Sequence, residues 1–546
     1  MTILKFNIMA FRDLFQKTPV KIPNKSGFDL SHENMLTLDC GALVPVMTDL
    51  LIPGDKVSLG SAFEVQLPPM ATDFYGRVRL KMEAFFIPCR LLYGGWQKFM
   101  TSPVGSSQLG TAVPSSLPFI TVPADKASFL RRGSLADYLG YKGSINTNQR
   151  INNILRFMAY HKIYDDWYRD SRIQKPVFND AVIYGQSSLT VRNLPYILPV
   201  SSALSIDISD TFFADGFSLF SLRQRNWSRD YFTNATPLPQ SGAGASLSFS
   251  VSLPSDVTSG SGSFTIASLR AANALQQWLE RNNIAGDRYA DQIRAHFGVM
   301  PSDAVNQRAI YLGSSSSVIY NHSVYQTNNP DGASGATDAR NPFYSVGSKF
   351  ASPIGSDSNT LVDSFEATEF GYFMVIASIV PDAVYSTGVN RDFFRSKIGD
   401  FAFPLLQGVG DQPIYKAELA NSGVDGNTMA DMATFGYTQR FSEYKFMEDE
   451  VHGGLCDGQN LSAFALKRGF GSIASLSLGS DFLQIPRNFL DDVAASDADV
   501  LSNYGAWADI FFKYRKVSVL SAYTIPTLGD PQNTHTDVIP NGGRRL

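Results

Sequence analysis

The chain has 546 residues, enough for two or three domains or for one large β-domain with long insertions. It is 44% hydrophobic and 12% aromatic, so it can bury a sizeable core, but only 18% of it is charged, which is low for a soluble monomer. We therefore favour a protein that hides much of its surface against copies of itself, although a β-rich enzyme would have a similar composition. The formal net charge of −4 argues against a globally basic nucleic-acid binder.

The N-terminal stretch, residues 1–32, is rich in Pro, Lys and Asn and is predicted to be an extended arm. Against the single acid Asp13, its first 25 residues contain five cations: Lys5, Arg12, Lys17, Lys21 and Lys25. Such a stretch is either a solvated tail or an arm that contacts phosphate groups. Its first apolar run is too short for a signal peptide, and no segment of the sequence approaches the length of a membrane span.

The segment from Arg77 to Pro88 alternates between polar and apolar residues, which predicts a half-buried strand. Its polar face carries Arg77, Arg79 and Lys81 and is expected to contact a neighbouring element or the interior rather than bulk solvent. A strand of this kind is typical of an antiparallel sheet that is packed on one side. Pro88 ends the strand, and a short amphipathic helix is predicted between Arg90 and Met100.

Further strands are predicted at residues 36–47, 57–67, 369–380 and 435–446 and within 507–524. Helical periodicity predicts helices at residues 149–170, 269–281 and 287–297, the last of which is stopped by Gly298. Strands at both ends of the chain around a helical middle indicate one sandwich closed by its termini. His161, beside the apolar face of the first helix, is interpreted as a core or interface histidine rather than a metal ligand.

Two stretches rich in Ser and Gly, residues 201–263 and 313–363, are predicted to be long loops. Such a composition buries little apolar surface and loses much conformational entropy when it becomes ordered. The first stretch is therefore expected on the surface, with a plain linker as the alternative.

The sequence contains no recognisable catalytic or nucleotide-binding motif, so catalysis is not supported. Cys40, Cys89 and Cys456 are far apart and form neither a disulfide framework nor a zinc spacing, which fits folding in a reducing cytoplasm. No cofactor is expected. A structural divalent cation stays open as an alternative, because a loop carries the four acids Asp491, Asp492, Asp497 and Asp499, but a solvated acidic loop is the favoured interpretation.

Aromatic residues next to arginine, as around Trp227, suit stacking on unpaired bases or a subunit interface, and we favour the interface. The same interpretation extends to aromatic residues of the helices predicted at 90–100 and 149–170. The predicted interface residues are Trp96, Phe99, Trp167, Trp227, Tyr231 and Phe232.

Six blocks of the chain, in this order, resemble the major capsid proteins of the Microviridae, the small icosahedral phages with single-stranded DNA, and above all their gokushovirus-like members. The blocks are Lys25–Leu59, Met82–Met100 (MEAFFIPCRLLYGGWQKFM), Leu269–Gly313, Glu369–Phe394, Phe435–Phe446 and Ala508–Pro531. The third block, with the sequence RYADQIRAHFG, is the most specific. The chain departs from the family pattern at residues 201–263, where such proteins carry a hypervariable insertion.

The resemblance implies a mainly β fold, a single eight-stranded antiparallel jelly roll of the viral capsid type with long inserted loops that contain α-helices. It also implies a structural, non-enzymatic protein that self-assembles from 60 copies into a T=1 icosahedral shell around a circular single-stranded DNA genome. The implied partners are further copies of the chain, genomic DNA, a small basic DNA-binding protein, a scaffolding protein, a minor pilot protein and a host surface receptor. The implied location is the virion, assembled in the cytoplasm of a bacterial host.

Three regions follow from this resemblance. Residues 1–32 are expected to be an arm on the inner surface, with its five cations near the genome. Residues 33–530 are expected to be the capsid domain, with insertions at about 101–365, and residues 531–546 a C-terminal tail. The variable insertion 201–263 is expected to lie outside and to contribute to host attachment. The alternative is a non-viral β-sandwich protein that binds or hydrolyses carbohydrate, which would need a groove lined by paired carboxylates.

Overall fold

The structure is a computed structural model of the single chain, and it describes residues 25–520 with gaps. The gaps are residues 68–74, 94–95, 102–116, 118, 123–129, 142–148, 179–214, 241–265, 287, 301, 304–306, 320–322, 326–348, 352–353, 421–431, 471–472, 474–475 and 491–504. The described chain is mainly β, with antiparallel strand pairs and few helices, which confirms the predicted fold class.

Two sheets hold most of the described strands. The strands of sheet 1 are β1 (Ser26–Asp29), β2 (His32–Leu38), β4 (Lys56–Gln66), β11 (Ile354–Glu366) and β15 (Ala506–Ser518). The strands of sheet 2 are β3 (Val44–Leu51), β5 (Val78–Pro88), β8 (Ile310–Ile319) and β12 (Gly371–Pro381). In sheet 1, β15 pairs with β1 and β2 on one side and with β4 on the other, and β4 pairs with β11. The order in sheet 2 is β3, β12, β5 and β8.

The remaining described strands form three short pairs, and the helices lie in the long connections. The pairs are β6 (Ile120–Val122) with β7 (Gln149–Ile151), β9 (Ser323–Tyr325) with β10 (Lys349–Ala351), and β13 (Gln412–Tyr415) with β14 (Thr434–Thr438). The helices are α1 (Trp96–Thr101), α2 (Leu135–Tyr138), α3 (Leu155–Ile163), α4 (Ile266–Ala285), α5 (Tyr289–Phe297) and α6 (Ser480–Leu483).

Sheets 1 and 2 pack face to face around the main core. Every second side chain from Ala506 to Tyr514 is buried in it, as the period of two in a strand dictates. Phe373 of β12 stacks on Tyr514 of β15 with ring centroids 5.9 Å apart, and Phe86 of β5 contacts Phe365 of β11 at 4.9 Å. These aromatic contacts join the two sheets, and burying each side chain contributes about 1.5–3 kcal/mol.

The other face of sheet 2 is also covered, by α3 and the chain around it. Phe85 and Ile87 of β5 point into this second core together with Met374 and Ile376 of β12. The central strand β12 is therefore buried along its whole length, which agrees with its almost continuous apolar sequence. The prediction that β5 belongs to a sheet packed on one side is wrong, because the second core covers the C-terminal half of its polar face.

Two predicted elements differ in extent from those observed. Residues 36–47 contain parts of two strands rather than one, because the chain turns at Gly41, whose φ of 68° favours glycine. The helix predicted over residues 149–170 begins only at Leu155, whose amide donates to the side chain of Asn153 at 2.9 Å. The N-cap residue Ile154 makes no side-chain capping hydrogen bond, so Asn153, one residue earlier, satisfies the first helical amide in its place.

The stretch 313–363, predicted to be a loop, contains most of β8 and β11. The two strands meet where one edge of sheet 2 approaches one edge of sheet 1, and a Cβ added at Gly313 would overlap the carbonyl oxygen of Leu361. Ser315 and Ser317 are buried in β8. Small side chains permit this close approach, and they lack the apolar alternation by which a strand is recognised in a sequence.

The predicted helix pair is confirmed as α4 and α5. Gly286 separates the two helices, and Gly298 ends α5 in the left-handed conformation with its amide donating to Arg294 O at 3.0 Å. The strand predicted over residues 435–446 is shorter than expected, because β14 ends at Thr438.

Candidate assembly surface

The cationic face of β5 lies beside the chain that follows β12. Arg79 Nη2 donates to Asp382 Oδ2 at 3.0 Å, and Arg77 lies 3.8 Å from the same carboxylate. Lys81 is half-buried, and its burial lowers its pKa. Arg79 therefore makes the expected contact and Lys81 is partly shielded from bulk solvent, whereas Arg77, although it lies near Asp382, is mostly exposed.

Glu83, on the same strand, joins sheet 2 to residues of the long connection between β5 and β8. Both terminal nitrogens of Arg225 donate to its carboxylate, at 2.8 and 3.0 Å, and the Tyr168 hydroxyl donates to Oε2. Burial favours a raised pKa of Glu83, but the hydrogen bonds and charge of Arg225 outweigh it and hold the pKa below its usual value. This bidentate ion pair fixes residues 215–240 against the sheet.

Three of the predicted interface aromatics, Trp227, Tyr231 and Phe232, are buried inside the protomer. The Arg468 guanidinium lies over the Trp227 ring at 4.7 Å, and the Tyr231 hydroxyl donates to Glu418 at 3.1 Å. A buried side chain has little area left to offer a neighbouring subunit. The protomer's own core therefore accounts for these aromatics, and their role in an interface stays a prediction.

The other three predicted interface aromatics, Trp96, Phe99 and Trp167, are partly buried against the second core. Trp167 Nε1 donates to Ala309 O at 2.8 Å, and the Arg308 guanidinium lies 3.9 Å from its ring centroid. All three side chains contact their own chain and keep some exposed area, and their role in an interface also stays a prediction.

Of the five predicted DNA-contacting cations, Lys25 alone lies among the described residues. It is exposed, and its Nζ donates to Gly54 O at 2.7 Å and to Glu366 at 3.2 Å. Outside the described residues lie Lys5, Arg12, Lys17 and Lys21 and the acids Asp491, Asp492, Asp497 and Asp499. Within the described part of the chain, no group of His, Cys, Asp and Glu side chains could hold a metal ion.

His161 is a core histidine, which confirms its interpretation. Its Nε2 lies 2.9 Å from Leu219 O, and Nδ1 accepts a hydrogen bond from Arg223 Nε at 3.1 Å. Because the ring is fully buried beside this guanidinium, its pKa lies well below the usual value. The neutral ring links α3 to the segment that contains Leu219 and Arg223.

The chain that follows β12 presents a group of exposed apolar side chains, here called the apolar surface. It consists of Phe393, Ile398, Phe401, Phe403, Leu405, Val409, Tyr444 and Met447. Their exposed fractions run from 46% for Phe403 to 94% for Met447. No single helical or strand period relates them, because residues 391–409 run through three short 3₁₀ helices.

Ion pairs hold the two segments of the apolar surface together. Arg391 Nη1 donates to Glu418 Oε1 at 2.8 Å, and Arg391 Nε lies 3.6 Å from Glu443 Oε1. Burial alone would lower the pKa of Arg391, but the neighbouring acidic groups, Glu418 above all, outweigh it and leave the pKa raised. The Arg395 guanidinium lies over two rings of the surface, 5.8 Å from Phe401 and 4.4 Å from Tyr444. Arg395 therefore ties residues 393–409 to the segment around Tyr444.

Side chains also fix the turns between these 3₁₀ helices. Asn390 accepts a hydrogen bond from the Asp392 amide at 3.0 Å, and Asp400 accepts from the amides of Ser396 and Lys397 at 2.9 and 2.8 Å. These two hydrogen bonds from backbone amides lower the pKa of the Asp400 carboxyl group. The backbone is thus held in one conformation with its apolar side chains directed outward, so the surface is already formed in the isolated protomer.

A second group of exposed apolar side chains lies on the helix pair α4 and α5 and the residues after it. Its members are Leu275, Trp278, Ile284, Tyr289, Phe297, Val299 and Met300. Burial and the Glu280 carboxylate of α4 raise the pKa of Asp411 to about 6, so α4 lies beside the chain that leaves the apolar surface at Val409. The two groups therefore lie near each other on the protomer.

The apolar surface was not predicted from the sequence. A signal was present in the sequence: residues 393–409 contain many apolar residues with neither helical nor strand periodicity, interrupted by Gly399, Pro404 and Gly408. Such a segment cannot bury its apolar residues along one face of a helix or strand. It therefore marks a surface that another element, or another molecule, must cover.

Replacing Glu448 with glutamine should raise the free energy of unfolding by about 1–2 kcal/mol at pH 8 and much less at pH 5. Burial and the carboxylates of Asp230, Glu418 and Glu450 raise the pKa of Glu448 to about 8 in the folded protomer, above the usual 4.5. The folded state therefore loses stability as the pH rises from about 4.5 to about 8, and Glu448→Gln removes this loss.

Thermal unfolding of both proteins at the two pH values measures the effect of Glu448→Gln. The matched control is Glu64→Gln at an exposed carboxylate of β4, which should change the stability little at either pH. An equal gain at pH 5 and pH 8 in Glu448→Gln would contradict the prediction.

A mainly β protomer with an ordered apolar surface is typical of proteins that build shells from many copies of one chain. The family whose model matches this chain, over residues 18–264 and 253–528, is described as capsid protein, or F protein, of phages. The chain belongs to this family of capsid proteins, so its role is structural rather than enzymatic. Such a protein is part of the virion and assembles with copies of itself. No described helix is long and apolar enough to cross a membrane.

Relatives named capsid protein VP1 are similar over most of their length. The VP1 of Chlamydia phage 1 is 26% identical, with 95% of this chain and 98% of the relative covered. The VP1 of Bdellovibrio phage phiMH2K is 23% identical over 94% of this chain and 97% of its own, and that of Spiroplasma virus 4 is 24% identical over 79% and 82%. The family resemblance drawn from the six sequence blocks is confirmed.

Proposed function

We propose that the protomer is an eight-stranded jelly roll and that 60 copies of it form a T=1 shell around a circular single-stranded DNA genome. The observation that carries this proposal is the strand order of the two packed sheets. With β1 and β2 counted as one interrupted strand, the first and last described strands are neighbours in sheet 1, and each sheet alternates between early and late strands. This winding is typical of a jelly roll.

The positions of the long connections support different roles for the sandwich and for the chain inserted between its strands. The connection from β5 to β8 supplies helices α1 to α5, and the connection from β12 to β15 supplies the apolar surface. The sandwich then forms the wall of the shell, and the two connections form contacts between copies and features of the exterior. Many contacts of modest strength become stable when symmetry closes the shell.

The partners inside the shell are further parts of this proposal. The arm cations Lys5, Arg12, Lys17, Lys21 and Lys25 contact the genome on the inner surface, where their charge neutralises phosphate groups. A small basic DNA-binding protein, a scaffolding protein and a minor pilot protein take part in assembly. Assembly in the cytoplasm of a bacterial host is supported by the three cysteines, which are free thiols.

The variable insertion, residues 201–263, is proposed to lie on the exterior except for the stretch 215–240, most of whose aromatic side chains are buried in the protomer, to contribute to host attachment and to project at the threefold axes. Most of it lies outside the described residues, and the proposal rests on its Ser- and Gly-rich composition between residues 240 and 263. Limited proteolysis of intact particles should cut within residues 240–263, and complete protection would contradict an exterior position.

Imaging of the assembled protein tests the shell itself. Negative-stain electron microscopy of particles produced from the complete phage genome should show closed shells of T=1 symmetry, and size-exclusion chromatography should show particles or assembly intermediates. The rival class, a β-sandwich protein that binds or hydrolyses carbohydrate, predicts a monomer or a small oligomer under the same conditions.

A further inference from the structure

The apolar surface is larger than a monomeric protein usually exposes. Its eight side chains expose about 70% of their area on average. With about 150–250 Å² for a large side chain, this amounts to on the order of 1,000 Å² of exposed area. The largest apolar patch on a typical monomer is about 300–600 Å², whereas each side of a standard protein interface buries about 800 Å². The area therefore suits one complete side of a protein–protein contact.

The apolar surface is also conformationally fixed, which favours its use as a protein–protein contact. Contacts of Arg391 and Arg395 hold residues 393–409 in place. The side chains of Asn390 and Asp400 accept hydrogen bonds from backbone amides and fix the turns. A surface that is already ordered loses little conformational entropy on docking, which favours binding. A flexible apolar segment would instead collapse onto its own protomer.

The rim of the apolar surface carries both signs of charge, which narrows the choice of occupant. Lys397 and Lys445 are exposed cations at the rim, and Asp392 and Glu450 are exposed anions. A DNA strand would meet the anions unfavourably, because binding to DNA depends on clustered cations. A copy of the same chain can place its cations opposite these anions, because its own rim is equally mixed.

We propose that the apolar surface docks onto a second copy of this chain and is a contact between protomers in the shell. The proposal rests on the proposed function, since it names the surface through which copies associate. Its central members are Ile398 and Leu405, which expose 79% and 91% of their surface and contribute little to the folded protomer.

Substitution of these two residues tests the proposal. Ile398→Asp and Leu405→Asp should each reduce the yield of closed particles at least tenfold and leave protomers whose thermal unfolding is unchanged. The matched controls Ile398→Val and Leu405→Met keep an apolar side chain and should assemble like the unsubstituted protein. Normal particle yields from both aspartate variants would overturn the proposal.

A photo-crosslinking amino acid at Phe393 identifies the occupant even if the aspartate variants fail to fold. Irradiation of assembled particles should give a product of twice the mass of one chain. A crosslink confined to a single chain would show that another segment of the same protomer covers the surface, and a crosslink to a different virion protein would identify that protein as the occupant. Either of these results would overturn the proposal.

The experiments also separate this inference from the proposed function. If the unsubstituted chain forms closed particles and the aspartate variants do so too, only the assignment of the apolar surface fails. If the unsubstituted chain forms no particles when produced from the complete genome, the proposed shell fails as well.

Discussion

Replacing Arg225 with methionine should lower the free energy of unfolding of the protomer by about 3–5 kcal/mol. The Glu83 carboxylate, which accepts two hydrogen bonds from Arg225, would remain in a largely buried position without its cation. Tyr168 also donates to Glu83, but a hydroxyl group cannot balance the negative charge. Chemical denaturation of the unassembled protomer measures the loss.

Two further measurements distinguish the unpaired charge from a simple packing defect in Arg225→Met. The double variant Arg225→Met with Glu83→Gln should recover most of the loss, because no buried charge remains. Without Arg225 the pKa of Glu83 should rise above its unfolded value, so the single variant should become relatively more stable as the pH falls. A loss below about 1 kcal/mol that is independent of pH would contradict this account.

The second large effect is expected for Phe373→Ala in the main core. Phe373 is fully buried and stacks on Tyr514 between the two sheets. Its removal should destabilise the protomer by about 3–5 kcal/mol, because the lost apolar burial adds to the free energy of the cavity left behind. Chemical denaturation of the unassembled protomer again provides the measurement.

The apolar surface supplies a control of the same residue type for Phe373→Ala. Phe393 exposes 82% of its surface, so Phe393→Ala should change the protomer's stability by less than about 0.5 kcal/mol. Similar losses in the two variants would mean that the main core does not lie between the sheets as described. The pair also separates residues that stabilise the protomer from residues available to other copies.

The elements that could be predicted from the sequence are those whose pattern is local. The alternation of β5, the continuous apolar run of β12 and the helix pair ended by Gly298 each depend on residues within one turn or one strand. Strands β8 and β11 could not be predicted in this way, because small residues such as Gly313 and Ser315 serve a close approach between distant segments. Only the folded chain brings Gly313 and Leu361 together.

The candidate site was less predictable than the fold. Trp227, Tyr231 and Phe232 were assigned to an interface because aromatic residues beside arginine are common there, yet the same residues fill the protomer's core. Sequence alone cannot distinguish the two, since both environments favour aromatic residues that contact guanidinium groups. The apolar surface was missed for the opposite reason, because its residues follow no period and lie in short 3₁₀ turns.

The position of β15 has a consequence for the timing of folding during synthesis. Roughly 440 residues separate the end of β4 from the start of β15, which lies between β4 and β2 in the finished sheet. At about 5–20 residues per second, a ribosome needs roughly 20–90 s to supply the missing strand. Until then the pairing edges of β4 and β2 remain open, so the nascent chain cannot complete its wall. The synthesis of β15 thus sets the earliest moment at which a protomer can join its neighbours.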